Sequence, residues 1–145
     1  MDRHGLVVWI GLVTACPVVA LAGQDSLPQP VASAFRQAYP RAVILNVSKE
    51  RRQGKVVYEI ESRDGSTRRD LIYSVAGRVL EIEEVLPVDS VPGAVRAAAE
   101  RQVVGGRLVG AERVTRGDII LFEVQMRLNG RSRFLTFDPE GRPSE

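Results

Sequence analysis

Beyond residue 22 this chain has no cysteine and no histidine, because Cys16 and His4, the only ones present, lie in a segment that reads as an export signal. Arg3 and His4 give it a weakly basic start, and Leu6 to Leu21 is an apolar run broken by Thr14, Cys16 and Pro17. Ala20-Leu21-Ala22 then supplies the small-x-small pattern a signal peptidase requires. The run is too short and interrupted for a transmembrane span, which needs roughly 20 apolar residues. The signal is expected over residues 1–22, leaving a periplasmic or secreted chain from Gly23. A second reading is a lipobox at Val13-Thr14-Ala15-Cys16, which would anchor the protein to a membrane through lipidated Cys16. Against it, Pro17 to Leu21 stays apolar where a lipoprotein turns polar.

That scarcity removes whole classes of chemistry from the expected mature chain. Disulfide staples go, although export would permit them. Cysteine nucleophiles, Ser-His-Asp triads and Cys/His zinc sites go as well. There is no G-x-S-x-G elbow around Ser33, Ser62 or Ser66, no G-x-G-x-x-G fingerprint and no calcium loop. Lysine is nearly absent too, with only Lys49 and Lys55, and the net charge is +2. A balanced surface with no basic stripe and no stacking aromatics lacks the footprint of a nucleic-acid binder. The expectation is a protein that is not an enzyme and carries no cofactor.

What the chain does have is internal similarity about 64 residues apart. Leu27-Pro28 precedes one stretch and Val91-Pro92 another. Val56-Val57-Tyr58-Glu59-Ile60 aligns with Ile120-Leu121-Phe122-Glu123-Val124, and Tyr73 to Arg78 aligns with Phe137 to Arg142. In the first stretch Ser26 is the expected N-cap, and Val31, Ala34, Phe35 and Ala38 form one helical stripe that Pro40 ends. In the second, Asp89 or Ser90 is the expected cap, Val95 and Ala98 repeat the stripe, and Gly105-Gly106 stops it.

After each helix the apolar period changes from 3.6 to 2. Val43, Leu45 and Val47 alternate with Ile44, Asn46 and Ser48, followed by Val56, Tyr58 and Ile60, then Leu71, Tyr73 and Val75, then Val79 to Val85. The second stretch continues through Ile120, Phe122, Val124 and Met126 to Leu135 and Phe137, with a last strand missing or vestigial. Asp64-Gly65 and Asn129-Gly130 are hairpin signals. The expected class is α+β: two tandem units of a helix plus an antiparallel meander, over residues 23–86 and 87–145, with the helices packed on one sheet face. The short join Leu86-Pro87-Val88-Asp89 leaves room for the two sheets to continue into one.

The layout resembles the PepSY-like family, also described as β-lactamase-inhibitor-like domains of exported bacterial proteins. Leu27-Pro28 with Ala34-Phe35, Tyr39-Pro40, Val57-Tyr58-Glu59-Ile60 and Gly77-Arg78-Val79-Leu80 carry the resemblance first. Val91-Pro92, Leu121-Phe122-Glu123-Val124 and Phe137 to Gly141 carry it again. It departs at Val103-Val104-Gly105, where a Tyr-Pro pair is lacking, and at Tyr73-Ser74-Val75, where Phe-Asp would be more typical. The resemblance implies a non-catalytic binding or inhibitory role toward an exported protein.

The side chains opposite the expected core then become candidates for contact. Ile119, Leu121 and Glu123 stand on one such row, and Val57 and Glu59 on its counterpart. Apolar residues among charges on an open sheet face can mark a docking surface, although single exposed apolar residues are ordinary. The leading expectation is an exported module holding a protein or peptide through its sheet face or edge, with self-association left open. The alternative is a small-ligand or cation-binding protein using Glu59, Glu61, Glu81, Glu83 and Glu84, which could equally be a solvated face paired with arginines.

Overall fold

The computed structural model describes residues 27–144. The expected signal, its lipobox and Ser26 lie outside the described residues. Two ten-residue helices and seven strands follow in the order α1 (Gln29–Ala38), β1 (Val43–Arg52), β2 (Lys55–Asp64), β3 (Thr67–Ser74), β4 (Val79–Leu86), α2 (Gly93–Gln102), β5 (Arg107–Arg116), β6 (Ile119–Leu128) and β7 (Arg131–Phe137). A single 3₁₀ turn, Val88–Ser90, precedes α2.

All seven strands join one antiparallel sheet in sequence order, β1 to β7. The expected α+β class of two tandem helix-plus-meander units is therefore corrected to a mainly β protein built on one sheet. The physical reason is the pairing of β4 with β5, where Ile82 to Leu86 lie opposite Thr115 to Ala111. That ladder turns two would-be edges into a central pair and, among the described residues, leaves only β1 and β7 as edges, which are the exposed liability of any sheet.

Both helices cover the same face. Val31 and Phe35 of α1 pack with Tyr58, Ile60, Leu71 and Tyr73. Val95, Ala98 and Ala99 of α2 pack with Phe122, Val124, Met126 and Phe137. Ile82 belongs to the first cluster and Leu86 to the second, and both lie on one side of β4. Between the clusters Glu84 accepts from Arg69 at 2.6 Å and Arg113 at 2.8 Å, spanning β3, β4 and β5. The guanidinium of Arg69 also lies 5.2 Å from the Tyr39 ring centre, a cation–π distance.

Several local expectations change. Ala38 is exposed, so the packing stripe of α1 ends at Phe35. A bulge between Ile44 and Asn46 reverses the alternation of β1, exposing Val43 and Leu45 and turning Ile44 and Val47 inward. Pro92, not Asp89 or Ser90, is the N-cap of α2, and no side chain caps it.

Tyr73 is fully buried, yet its hydroxyl has no hydrogen-bond partner among the described residues. Burial pushes its pKa up, with Tyr39 adding to the shift. A buried unsatisfied hydroxyl costs about 1–3 kcal/mol. Tyr73→Phe is accordingly expected to stabilise the fold by about 1 kcal/mol in urea denaturation, and a loss of stability would show that the hydroxyl is satisfied.

Candidate functional site

The face that is helix-free among the described residues is assembled by cross-strand register. Glu61 of β2, Asp70 of β3 and Glu83 of β4 are directly opposite one another in sequence across three strands. The same row continues to Val114 of β5 and Leu121 of β6. One step along, Glu59, Ile72 and Glu81 make a second row, which Arg116 extends by pairing with Glu81. On the other side, Val85 meets Glu112, and Glu112 meets Glu123. Like charges placed directly opposite on a sheet destabilise it, so this face holds carboxylates where folding alone disfavours them.

Their electrostatics follow from that crowding. Burial raises the pKa of Glu83 to about 8, with Glu81, Glu112 and Glu123 adding repulsion. Burial likewise raises Glu112 to about 7, with Glu123 and Asp70 adding to it and Arg68 opposing. Glu123, Asp70 and Glu59 are all pushed up, each by burial first. Arg116 opposes the shift at Glu123, Arg68 at Asp70 and Arg52 at Glu59. The arginines present offset only part of the negative charge.

Apolar residues sit among these groups. Val57, Ile72 and Val114 are 3%, 4% and 1% exposed although both helices pack on the other face. Among the described residues no helix lies above them. Val85 and Ile119 are exposed and Leu121 is half-buried.

All five residues singled out from the sequence lie on this face, but not in one contact. Ile119, Leu121 and Glu123 are on β6, and Val57 and Glu59 on β2. Four strand spacings separate β2 from β6, about 19 Å at ~4.8 Å each. The residues that link them are Asp70, Ile72, Glu81, Glu83, Glu112 and Val114. Of these, Asp70, Ile72, Glu112 and Val114 were missed. The alternation in β3 carries a signal for the first two, and no turn motif marks the other two.

At the β1–β2 hairpin end the face opens into a cleft of about 650 Å³ bordered by Arg52, Lys55, Val57, Ile72, Arg78 and Leu80, among others. Arg52 crosses one side of it, 3.6 Å from Glu81 and 3.7 Å from Glu59. Among the described residues, no group of three acidic side chains is placed to hold a metal ion. None of the helices described is long and apolar enough to cross a membrane.

A sheet of seven sequential strands with two helices on one face defines a fold class found in solved structures. A DUF2874 family protein from Bacteroides ovatus superposes with a TM-score of 0.67 at 17% identity, covering 83% of this chain and 86% of that one. A BLIP-like protein from Bacteroides fragilis superposes at 0.64 and 17% identity, covering 82% and 84%. A protein from Bacteroides eggerthii, provisionally described as periplasmic, superposes at 0.68 and 15% identity, covering 82% and 86%. At these identities the likeness is one of fold. No family model matches the chain, and no curated protein matches it. The PepSY-like resemblance therefore reaches as far as a BLIP-like fold.

Proposed function

We propose that this protein is an exported, non-enzymatic binding module that holds a protein partner against the helix-free face of its sheet, the partner presenting basic side chains. The observation that carries this is the in-register row Glu61–Asp70–Glu83 with Glu112–Glu123 beside it. A partner's cations would relieve a repulsion that the fold alone leaves in place, and Val85, Leu121 and Ile119 would supply apolar contact. Charge complementarity of this kind steers encounter and sets specificity. The BLIP-like and periplasmic descriptions of the neighbours support an exported protein-binding role.

The face is favoured over the edges. The β1 edge carries Lys49, Glu50, Arg51, Arg52 and a bulge, and the β7 edge carries Arg131 and Arg133. Charged and bulged edges are how sheets discourage strand addition. The cation-binding alternative is weaker, since Glu81 is already paired with Arg52 and Arg116.

The test is affinity capture from extracytoplasmic extract with crosslink mapping. Wild type and an Arg131→Glu edge variant should retain the same partner. Glu83→Lys/Glu112→Lys and Leu121→Arg should each weaken capture at least tenfold (about 1.4 kcal/mol). The face variants are expected to fold, because the double substitution places cations among carboxylates and Leu121 is half-buried. Retention indifferent to these substitutions and to salt would sink the proposal.

A further inference from the structure

Two turns share one backbone but differ in chemistry. The Ser74 N–H donates to Arg78 O at 2.9 Å and the Gly77 N–H to Ser74 O at 2.9 Å. About 64 residues on, the Asp138 N–H donates to Arg142 O at 2.9 Å and the Gly141 N–H to Asp138 O at 3.0 Å. In the later turn the arginine is neutralised: Asp138 accepts from its backbone N–H and its guanidinium, and Glu140 accepts from the guanidinium at 3.0 Å. In the earlier turn Ser74 and Ala76 stand in those two places. The guanidinium of Arg78 has no ion-pair partner among the described residues, and neither does Lys55, whose counterpart is the apolar Ile119.

Arg78 and Lys55 are both on the rim of the 650 Å³ cleft. Its apolar lining includes Val57, Ile72, Val75 and Leu80. The other two charges, Arg52 and Glu81, already face each other at 3.6 Å. What remains is an apolar trough with two uncommitted cations at its mouth. Its volume is that of roughly twenty waters in the liquid, within the ~300–1,000 Å³ usual for small-ligand sites.

We propose that this cleft binds a small amphipathic anion, a carboxylate on an aliphatic body. The chain would lie against exposed Val75 and half-buried Leu80, over a floor of buried Val57 and Ile72, gaining from removal of apolar surface from water. The carboxylate would accept from the Arg78 guanidinium, whose planar fork suits it, and from Lys55. The proposal does not depend on the protein-docking reading, which uses the carboxylate rows beyond Glu81.

The test is titration of the purified protein with decanoate, followed by calorimetry and by backbone amide NMR. Saturable binding with shifts concentrated at residues 55–57, 72–75 and 78–81 is expected. Arg78→Glu/Lys55→Glu should weaken it at least tenfold, while Leu121→Arg leaves it unchanged. Both rim positions are exposed, so the thermal midpoint of the double variant should stay within a few degrees of wild type. Decyltrimethylammonium, with the same chain and opposite charge, should show no saturation. Shifts that fall elsewhere, equal binding of the cationic amphiphile, or no saturable binding of decanoate by wild type would each overturn the proposal.

Discussion

Gly77→Ala and Gly141→Ala are each expected to destabilise the protein by about 3 kcal/mol, a large fraction of the ~5–15 kcal/mol that holds a domain together. Both glycines have φ of +80°. A Cβ at Gly77 would lie 2.5 Å from the Pro30 carbonyl oxygen, and one at Gly141 would lie 2.5 Å from that of Ala94. Those carbonyls belong to the first turns of α1 and α2. Neither helix can retreat cheaply, because Val31 and Val95 beside them are fully buried. The left-handed conformation alone costs an L-residue about 1–2 kcal/mol, and forcing packed elements apart adds about 1–3 kcal/mol. Gly54→Ala separates the two contributions: its φ is +78° but nothing lies within 4 Å of the added atom. Urea denaturation should show Gly54→Ala losing only about 1–2 kcal/mol. Equal losses at all three positions would mean that the close approach of turn to helix carries no stability.

Those two contacts show why part of the fold was legible. Asp64-Gly65 and Asn129-Gly130 announce hairpins, and Tyr58, Ile60, Phe122 and Val124 alternate with polar residues, so β2 and β6 stand out. Other elements depended on information that local pattern does not hold. In β1 every second residue from Val43 to Val47 is apolar, and so is Ile44; only the bulge decides that Ile44 and Val47 pack inward. Strand β5 carries Gly110 and Arg113 amid weak alternation, and nothing local marks it as the partner of β4. The run Glu81-Ile82-Glu83-Glu84 looks like an exposed edge. It is central because β5 pairs along it, and Glu84 on the helix side bridges Arg69 and Arg113.

The candidate face divides the same way. Parity alone places Val57, Glu59, Ile119, Leu121 and Glu123 opposite the core. Whether they touch is a matter of register over long sequence separation, and that register brings Asp70 beside Glu83 and Glu112 beside Glu123. Two acidic residues far apart in the chain look like ordinary solvated charges until the sheet makes them neighbours.

That crowding should be visible as a pH dependence of stability. In the folded protein Glu83 is raised to about 8 by burial and by Glu81, Glu112 and Glu123, while in the unfolded chain it returns to about 4.3. The folded state thus holds the proton over an interval where the unfolded state has released it. Its contribution is most favourable below the unfolded pKa and is lost as pH rises toward 8; Glu112, raised to about 7, acts in the same direction. At full weight the Glu83 shift would amount to about 5 kcal/mol, but the side chain is partly exposed, and solvent screening reduces this to roughly 2 kcal/mol. The thermal midpoint should therefore fall by roughly 8 °C between pH 5.5 and pH 8.5. Glu83→Gln should flatten the profile by staying uncharged beside Asp70, Glu81, Glu112, Glu123 and the cations Arg68 and Arg116. A profile unchanged by that substitution would place the titration elsewhere. The interval that weakens the fold is also the one in which the face becomes fully anionic. Capture of a basic partner should therefore strengthen as pH rises from 6 to 8.5, recovering from the partner's cations the stability the isolated sheet loses.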